Sequence, residues 1–315
     1  MIKKPKKSLL ASMLIILMIV SISGCSSKSG ETRAITPAPS TSTKAITVTD
    51  LKGNVVTFEK IPERIVSLSP SNTEILFAVG AGDKVVGITS FCNYPAETAK
   101  IGKIGDFNGP NLELIKKADP DVVLAGGSIQ EDLIKTLNDN GIKVISTEAA
   151  DFASIYKSIE LIGAVTGNDE KAKTAVSNIE NTLKEVEEKT KDKPKKKVFY
   201  VVWTDPLMTA GNGTFIDEII KAAGGENVAS KVEGWANYSA EQLTKDNPEM
   251  LISAFHSTDK GMAFKDFSSS QIFGKLSAVK NGKIYIMLND DIMSRPGPRI
   301  AEAIREMAKA LHGIE

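Results

Sequence analysis

The chain has 315 residues, with 39 basic and 39 acidic side chains, 42% hydrophobic residues, two histidines and two cysteines. That balance excludes a nucleic-acid binder built on a basic face, a disulfide-stapled miniprotein and a zinc site with the usual histidine and cysteine spacing. The length is enough for two lobes with cores of their own.

The N-terminus MIKKPKK carries four lysines and no acid, and an apolar run from Leu9 to Ile22 follows it. A basic start, an apolar stretch of about 14 residues and a small-residue site read as a secretory signal, too short for a comfortable membrane span. Ile22-Ser23-Gly24-Cys25 is similar to the lipobox of bacterial lipoproteins, which implies cleavage before Cys25 and a lipid on its thiol. Residues 26–43 are almost all Ser, Thr, Pro, Gly, Ala or charged, a composition that reads as a flexible tether. Removal of residues 1–24 leaves a net formal charge of minus four. The expected product is exported and anchored to the outer face of the cell membrane. Cys92 is then left without a disulfide partner.

From Ile46, the segment ITVTDLKGNVVTFEKIP reads as a hairpin turning at Lys52-Gly53-Asn54. Arg64 to Leu68 is a buried-type strand that ends in Ser69-Pro70, and a helix from Thr73 to Val79 closes at Gly80. Strands follow at Val85–Ile88, Val122–Ala125 and Val144–Ser146, separated by helices at Leu112–Ala118 and Glu131–Asn138. The helix Phe152–Val165 leads into the longest periodic stretch. In Asp169 to Lys191 the apolar residues Ala172, Val176, Ile179, Leu183 and Val186 recur at steps of four and three. This spacing predicts one amphipathic helix of roughly 30 to 35 Å. Asn168 is placed to cap it, acids fill its first turn, and Pro194 follows its end. The pattern then resumes with strands at Lys197–Val202, Met250–Ala254 and Ile284–Leu288 and helices at Thr214–Ala223, Ala240–Asp246 and Arg299–Leu311.

NLELIKKADPDVVLA, from Asn111, and SAEQLTKDNPEMLIS, from Ser239, match at a constant offset, with Glu113 on Glu241 and Pro120 on Pro248. The expected fold is therefore α/β, two Rossmann-like lobes with mostly parallel sheets bridged by one long helix. The layout is a signal peptide at 1–24, a lipidated cysteine and linker at 25–44, lobes at 45–167 and 194–315, and a bridge at 168–193. Open α/β sheets bind ligands beyond the carboxyl ends of their strands, so the ligand cleft is expected between the lobes, with Ser69 and Pro70 at one strand end.

Catalytic patterns are missing: there is no H-E-x-x-H, G-x-S-x-G or Walker loop. Gly80-Ala81-Gly82 follows a helix and precedes a strand, the reverse of a dinucleotide fingerprint. The chain is not expected to be an enzyme.

RIVSLSPSNTEILFAVGAGDKVVGIT, NLELIKKADPDVVLA, GWANYSAEQL and RPGPRIAEAI, in that order, resemble the helical-backbone class of substrate-binding proteins of ATP-driven importers. That class serves cobalamin, ferric siderophores and haem, and the likeness is greatest to its cobalamin-binding members. The resemblance implies an ABC permease and its ATPase as partners, a monomeric receptor, no cofactor, and a transported corrinoid, cobalamin or cobinamide. It makes Glu113 and Glu241 the acids that dock on the permease, one per lobe. Trp235 takes the place of a cleft tryptophan, Asp291 and Arg295 that of an acid and an arginine at the ligand's side amides, and Phe91 and Tyr94 that of an aromatic floor. An indole face suits a flat corrin, whereas Asp291 and Arg295 read without the family are a local ion pair.

The chain departs from the cobalamin binders where those often have tryptophans, with Phe107 at one place and Gly126-Gly127 at another. That leaves a ferric-siderophore or haem receptor as the alternative, with a lipid-anchored sensor or hydrolase as a reading of another class. His256 follows the strand at Met250, where a neutral imidazole can ligate the metal of a corrinoid or haem.

Overall fold

In a computed structural model, residues 45–127, 130–254, 264–287 and 289–314 are described. Strands β1 (Ile46–Thr49) and β2 (Val55–Phe58) pair antiparallel as a hairpin. Asp50 organises its tip. The carboxylate accepts hydrogen bonds from the N–H groups of Lys52 (3.0 Å) and Asn54 (2.7 Å), and a further one from Ser146 (3.1 Å) ties the hairpin to the sheet behind it.

The first half then alternates: β3 (Ile65–Ser67), α1 (Pro70–Ala78), β4 (Val85–Ile88), α2 (Leu112–Lys117), β5 (Val122–Ala125), α3 (Glu131–Asp139), β6 (Val144–Ser146) and α4 (Phe152–Thr166). Its sheet is parallel throughout, in the order β4-β3-β5-β6. β3, β5 and β6 are buried along their whole length, which is why they read as unbroken apolar runs. α1 starts three residues earlier than the hydrophobic pattern suggests. Ser69 caps it by accepting the Asn72 N–H (3.2 Å), and Pro70, which has no N–H to lose, occupies its first turn.

Helix α5 (Asp169–Thr190) packs on α4 on one side and on the last helix of the chain on the other. Its buried residues are Ala172, Val176, Ile179, Thr182, Val186 and Thr190, with Leu183 half-buried, close to the predicted stripe. The expected cap is not made. Instead of accepting from the first turn, Asn168 donates its side-chain amide to the carbonyl and hydroxyl of Thr166 (3.2 Å each). The turn before α5 is closed by Gly167 at φ 72°, a conformation that costs glycine little.

The second half contains β7 (Lys196–Val201), β8 (Trp203–Thr204), β9 (Leu207–Ala210), α6 (Phe215–Ala222), β10 (Gly225–Asn227), β11 (Trp235–Asn237), α7 (Ala240–Asp246), β12 (Met250–Ser253), α8 (Phe264–Ser269), α9 (Ser277–Lys280), β13 (Ile284–Ile286), α10 (Asp291–Ser294) and α11 (Ile300–His312). Its main sheet, β10-β7-β12-β13, is again all parallel and repeats the strand order of the first. The repeat extends to backbone detail. Asn111 and Ser239 cap α2 and α7 in the same way, and the helices are followed by Asp119 (φ 47°) and Asn247 (φ 38°), each just before a proline. Asp121 and Glu249 then accept from the N–H groups of Arg64, just before β3, and Lys197, at the start of β7.

One continuous core runs from α1 and α4 through α5 to α6 and α11, and smaller cores fill the outer faces of the two sheets. The chain is thus an α/β fold of two parallel sheets bridged by one long helix. A third sheet, the antiparallel β11-β9-β8, was not visible in the periodicity because strands of two to four residues carry almost no alternation.

Candidate ligand cleft between the two halves

The loops that leave the carboxyl ends of β3, β4, β5, β7 and β12 are where a parallel sheet offers ligand contacts. Ser69 and Pro70 stand at the first of these ends, where the Ser69 hydroxyl is occupied as the α1 cap and is buried. Phe91 and Tyr94, in the loop after β4, expose about half of their surface. Phe107 is half-buried, and its carbonyl accepts from the side-chain amide of Gln130 (3.0 Å). The same amide also reaches the Leu68 carbonyl (3.0 Å), while the Gln130 oxygen takes the Gly126 N–H (3.1 Å). Gln130 therefore stitches three loops together, a role that no local pattern announces.

An ion cluster joins the halves at the start of α11. Glu74, on α1, accepts Arg299 through two bonds (Nε to Oε2, 2.9 Å; Nη2 to Oε1, 2.7 Å) and Arg295 through a third (2.9 Å). Arg295 also pairs with Asp291 (2.6 Å) and donates to Asn93 Oδ1 (2.7 Å) and to the Phe91 carbonyl (3.3 Å). Glu74 and both arginines are buried, and the Arg299 guanidinium lies 4.1 Å from the centre of the Tyr94 ring. Burial opposes the charge of Arg299, but hydrogen bonds to the Glu74 carboxylate together with attraction to Glu74, Glu302 and Asp291 outweigh it and hold the pKa above its ordinary value. Of the expected ligand contacts, Phe91, Tyr94, Asp291 and Arg295 are thus brought together, and in this arrangement both terminal nitrogens of Arg295 are engaged by protein groups.

A second contact between the halves lies at α6. The Phe215 N–H donates to the Ala150 carbonyl (2.6 Å), and Glu218 accepts the Phe152 N–H at the start of α4 (2.5 Å). Burial raises the Glu218 pKa, and the bond from Phe152 pulls it back in part. Trp235 stands on this side, 47% exposed, its ring edge-to-face with Phe215 at 5.6 Å. Trp203 is 56% exposed, and its only signal in the sequence is an indole directly after a strand pattern.

Glu113 and Glu241 sit in the first turns of α2 and α7, exposed apart from helical ion pairs with Lys116 (3.6 Å) and Lys245 (2.8 Å). Cys25 and His256 lie outside the described residues. Among the described residues, no helix is long and apolar enough to cross a membrane, and no group of three His, Cys, Asp or Glu is placed to hold a metal ion.

Residues 65–290 match the model of a family described as periplasmic binding protein. The chain is 37% identical, over 85% of each sequence, to an uncharacterised ABC transporter substrate-binding lipoprotein YvrC of Bacillus subtilis. A vitamin B12-binding protein of Salmonella typhimurium is 33% identical, over 80% of this chain and 91% of that one. Among solved structures, a possible iron-binding, periplasmic solute-binding protein of Staphylococcus epidermidis superposes with a TM-score of 0.71 at 32% identity, covering 80% of this chain and 99% of that one. With a family model over most of its folded length and relatives above 30% identity, the chain belongs to the periplasmic binding protein family.

Proposed function

We propose that this protein is the lipid-anchored receptor of an ABC importer, and that it captures cobalamin or a related corrinoid between its halves and hands it to the permease and ATPase. The observation that carries this reading is the set of exposed aromatic rings on both sides of the seam, Phe91 and Tyr94 on one and Trp235 on the other. Large aromatic faces left in water are suited to a flat, largely apolar ligand. The likeness to a vitamin B12-binding protein supports the ligand class, and the likeness to a lipoprotein supports an anchor at Cys25 on the extracytoplasmic face. Asp291, and Arg295 once it exchanges its bond to Asn93 or the Phe91 carbonyl for one to the ligand, are the polar contacts for the ligand's amides, Phe107, Ser69 and Pro70 complete the N-terminal wall, and His256 is a candidate axial ligand to the metal. The matched caps of α2 and α7 support Glu113 and Glu241 as the two docking acids of a monomeric receptor with lobes at 45–167 and 194–315 and a bridge at 168–193.

A ferric-siderophore or haem receptor is the second reading, favoured by the likeness to a possible iron-binding protein. Titration of the detergent-solubilised full chain with cyanocobalamin, cobinamide, haem and ferric siderophores, followed by visible absorption, separates the two. Saturable one-to-one corrinoid binding that is lost in Trp235→Ala is expected. Binding of haem or a siderophore alone would transfer the assignment, and silence across the panel would favour a sensor or hydrolase.

A further inference from the structure

Two indoles share one face of the antiparallel sheet β11-β9-β8. Trp203 pairs directly with Met208 on β9, Asn237 pairs with the same Met208 from the other side, and Trp235 pairs with Ala210 two residues along. Residues directly opposite one another, and residues two apart on a strand, point to the same face. Trp203, Met208 and Trp235 therefore form one ledge. Trp203 and Trp235 are the only tryptophans of the chain, and 56% and 47% of their surface is exposed.

The ledge is held in place from behind. The Trp203 indole N–H donates to the Asp205 carbonyl (2.9 Å), which satisfies its single polar atom and leaves an apolar ring toward solvent. Trp235 is braced by Phe215, whose N–H makes the bond to Ala150 across the seam. β8 begins just after β7 ends, so Trp203 lies beyond the carboxyl end of a central strand of the sheet. That is ligand territory in an open α/β sheet.

We infer that Trp203 is a second stacking residue of the ligand site, and that the ledge takes a ligand with two planar groups, one on each indole. The inference rests on the corrinoid reading above. With strands about 4.8 Å apart and a stagger of two residues, the two attachment points are roughly 12 Å apart. A single aromatic ring does not cover both. Cobalamin has two planar groups, the corrin macrocycle and the dimethylbenzimidazole of its nucleotide, whereas cobinamide has the macrocycle alone. Trp235, at the seam, faces the macrocycle, and Trp203 faces the base.

The test measures dissociation constants of cyanocobalamin and cobinamide for the full chain and for Trp203→Ala, Trp203→Phe and Trp235→Ala. Trp203→Ala is expected to weaken cyanocobalamin roughly tenfold while cobinamide stays within about twofold, as loss of one stacked base should do. Trp203→Phe restores most of the loss, and Trp235→Ala weakens both ligands. Since Trp203 is exposed, the thermal midpoint of Trp203→Ala should match the parent, which separates a lost contact from a lost fold. Unchanged cyanocobalamin affinity in Trp203→Ala, or equal losses for the two ligands, would overturn the inference and leave the corrinoid reading intact. A parent protein that binds no corrinoid would overturn both.

Discussion

The Glu74 carboxylate meets two guanidinium groups that arrive from more than 200 positions further along the chain, and it shares Arg295 with Asp291. Charges taken out of water are tolerated only when paired, and removing one partner leaves the others uncompensated. Glu74→Gln is therefore expected to cost about 3–5 kcal/mol of folding stability, read as a lower urea midpoint. An unchanged midpoint would show that the cluster is not needed to hold the halves together. This is also the scale at which the sequence was least informative. Asp291 and Arg295 could be paired because they are four apart on the chain, and they do pair at 2.6 Å. Glu74 lies in the segment TEILF and reads as an ordinary helical acid, because nothing local encodes a partner across a cleft. Gln130 is silent in the sequence for the same reason, since its bonds to Leu68, Phe107 and Gly126 depend on loops that meet only after folding.

Secondary structure was far more legible. Strands buried on both faces announce themselves as short apolar runs, and α5 did so through its stripe. What failed was terminal detail, as with Asn168, and the very short strands of the third sheet. The crossing of α4 and α5 depends on a residue that periodicity ignores. A side chain at Gly163 would place its Cβ 2.4 Å from that of Ala172, closer than two carbons can approach. Gly163→Leu should push the helices apart and lower stability by about 1–3 kcal/mol or more, whereas Lys184→Leu, at an exposed position of α5 outside that crossing, should not. Comparable urea midpoints for the two variants would mean that α4 and α5 adjust freely against each other.

For the whole molecule, the internal repeat was the most productive observation from sequence, because one constant offset predicted two matching halves. The structure carries the match into strand order, helix caps and the two left-handed residues that follow α2 and α7. If Glu113 and Glu241 dock on a two-fold permease, the variant Glu113→Ala/Glu241→Ala should lose ligand uptake in cells while the isolated protein keeps its affinity. Uptake at the parental rate would remove the docking role.

The repeat also throws its exception into relief. Among the described residues, the sheet β11-β9-β8 has no counterpart in the first half, and it belongs to neither of the two helices that carry Glu113 and Glu241. On the reading proposed above, cargo and destination would be written in separate passages of one chain. Mutations could then drift through the ledge, and change what is carried, without disturbing the address to which it is delivered.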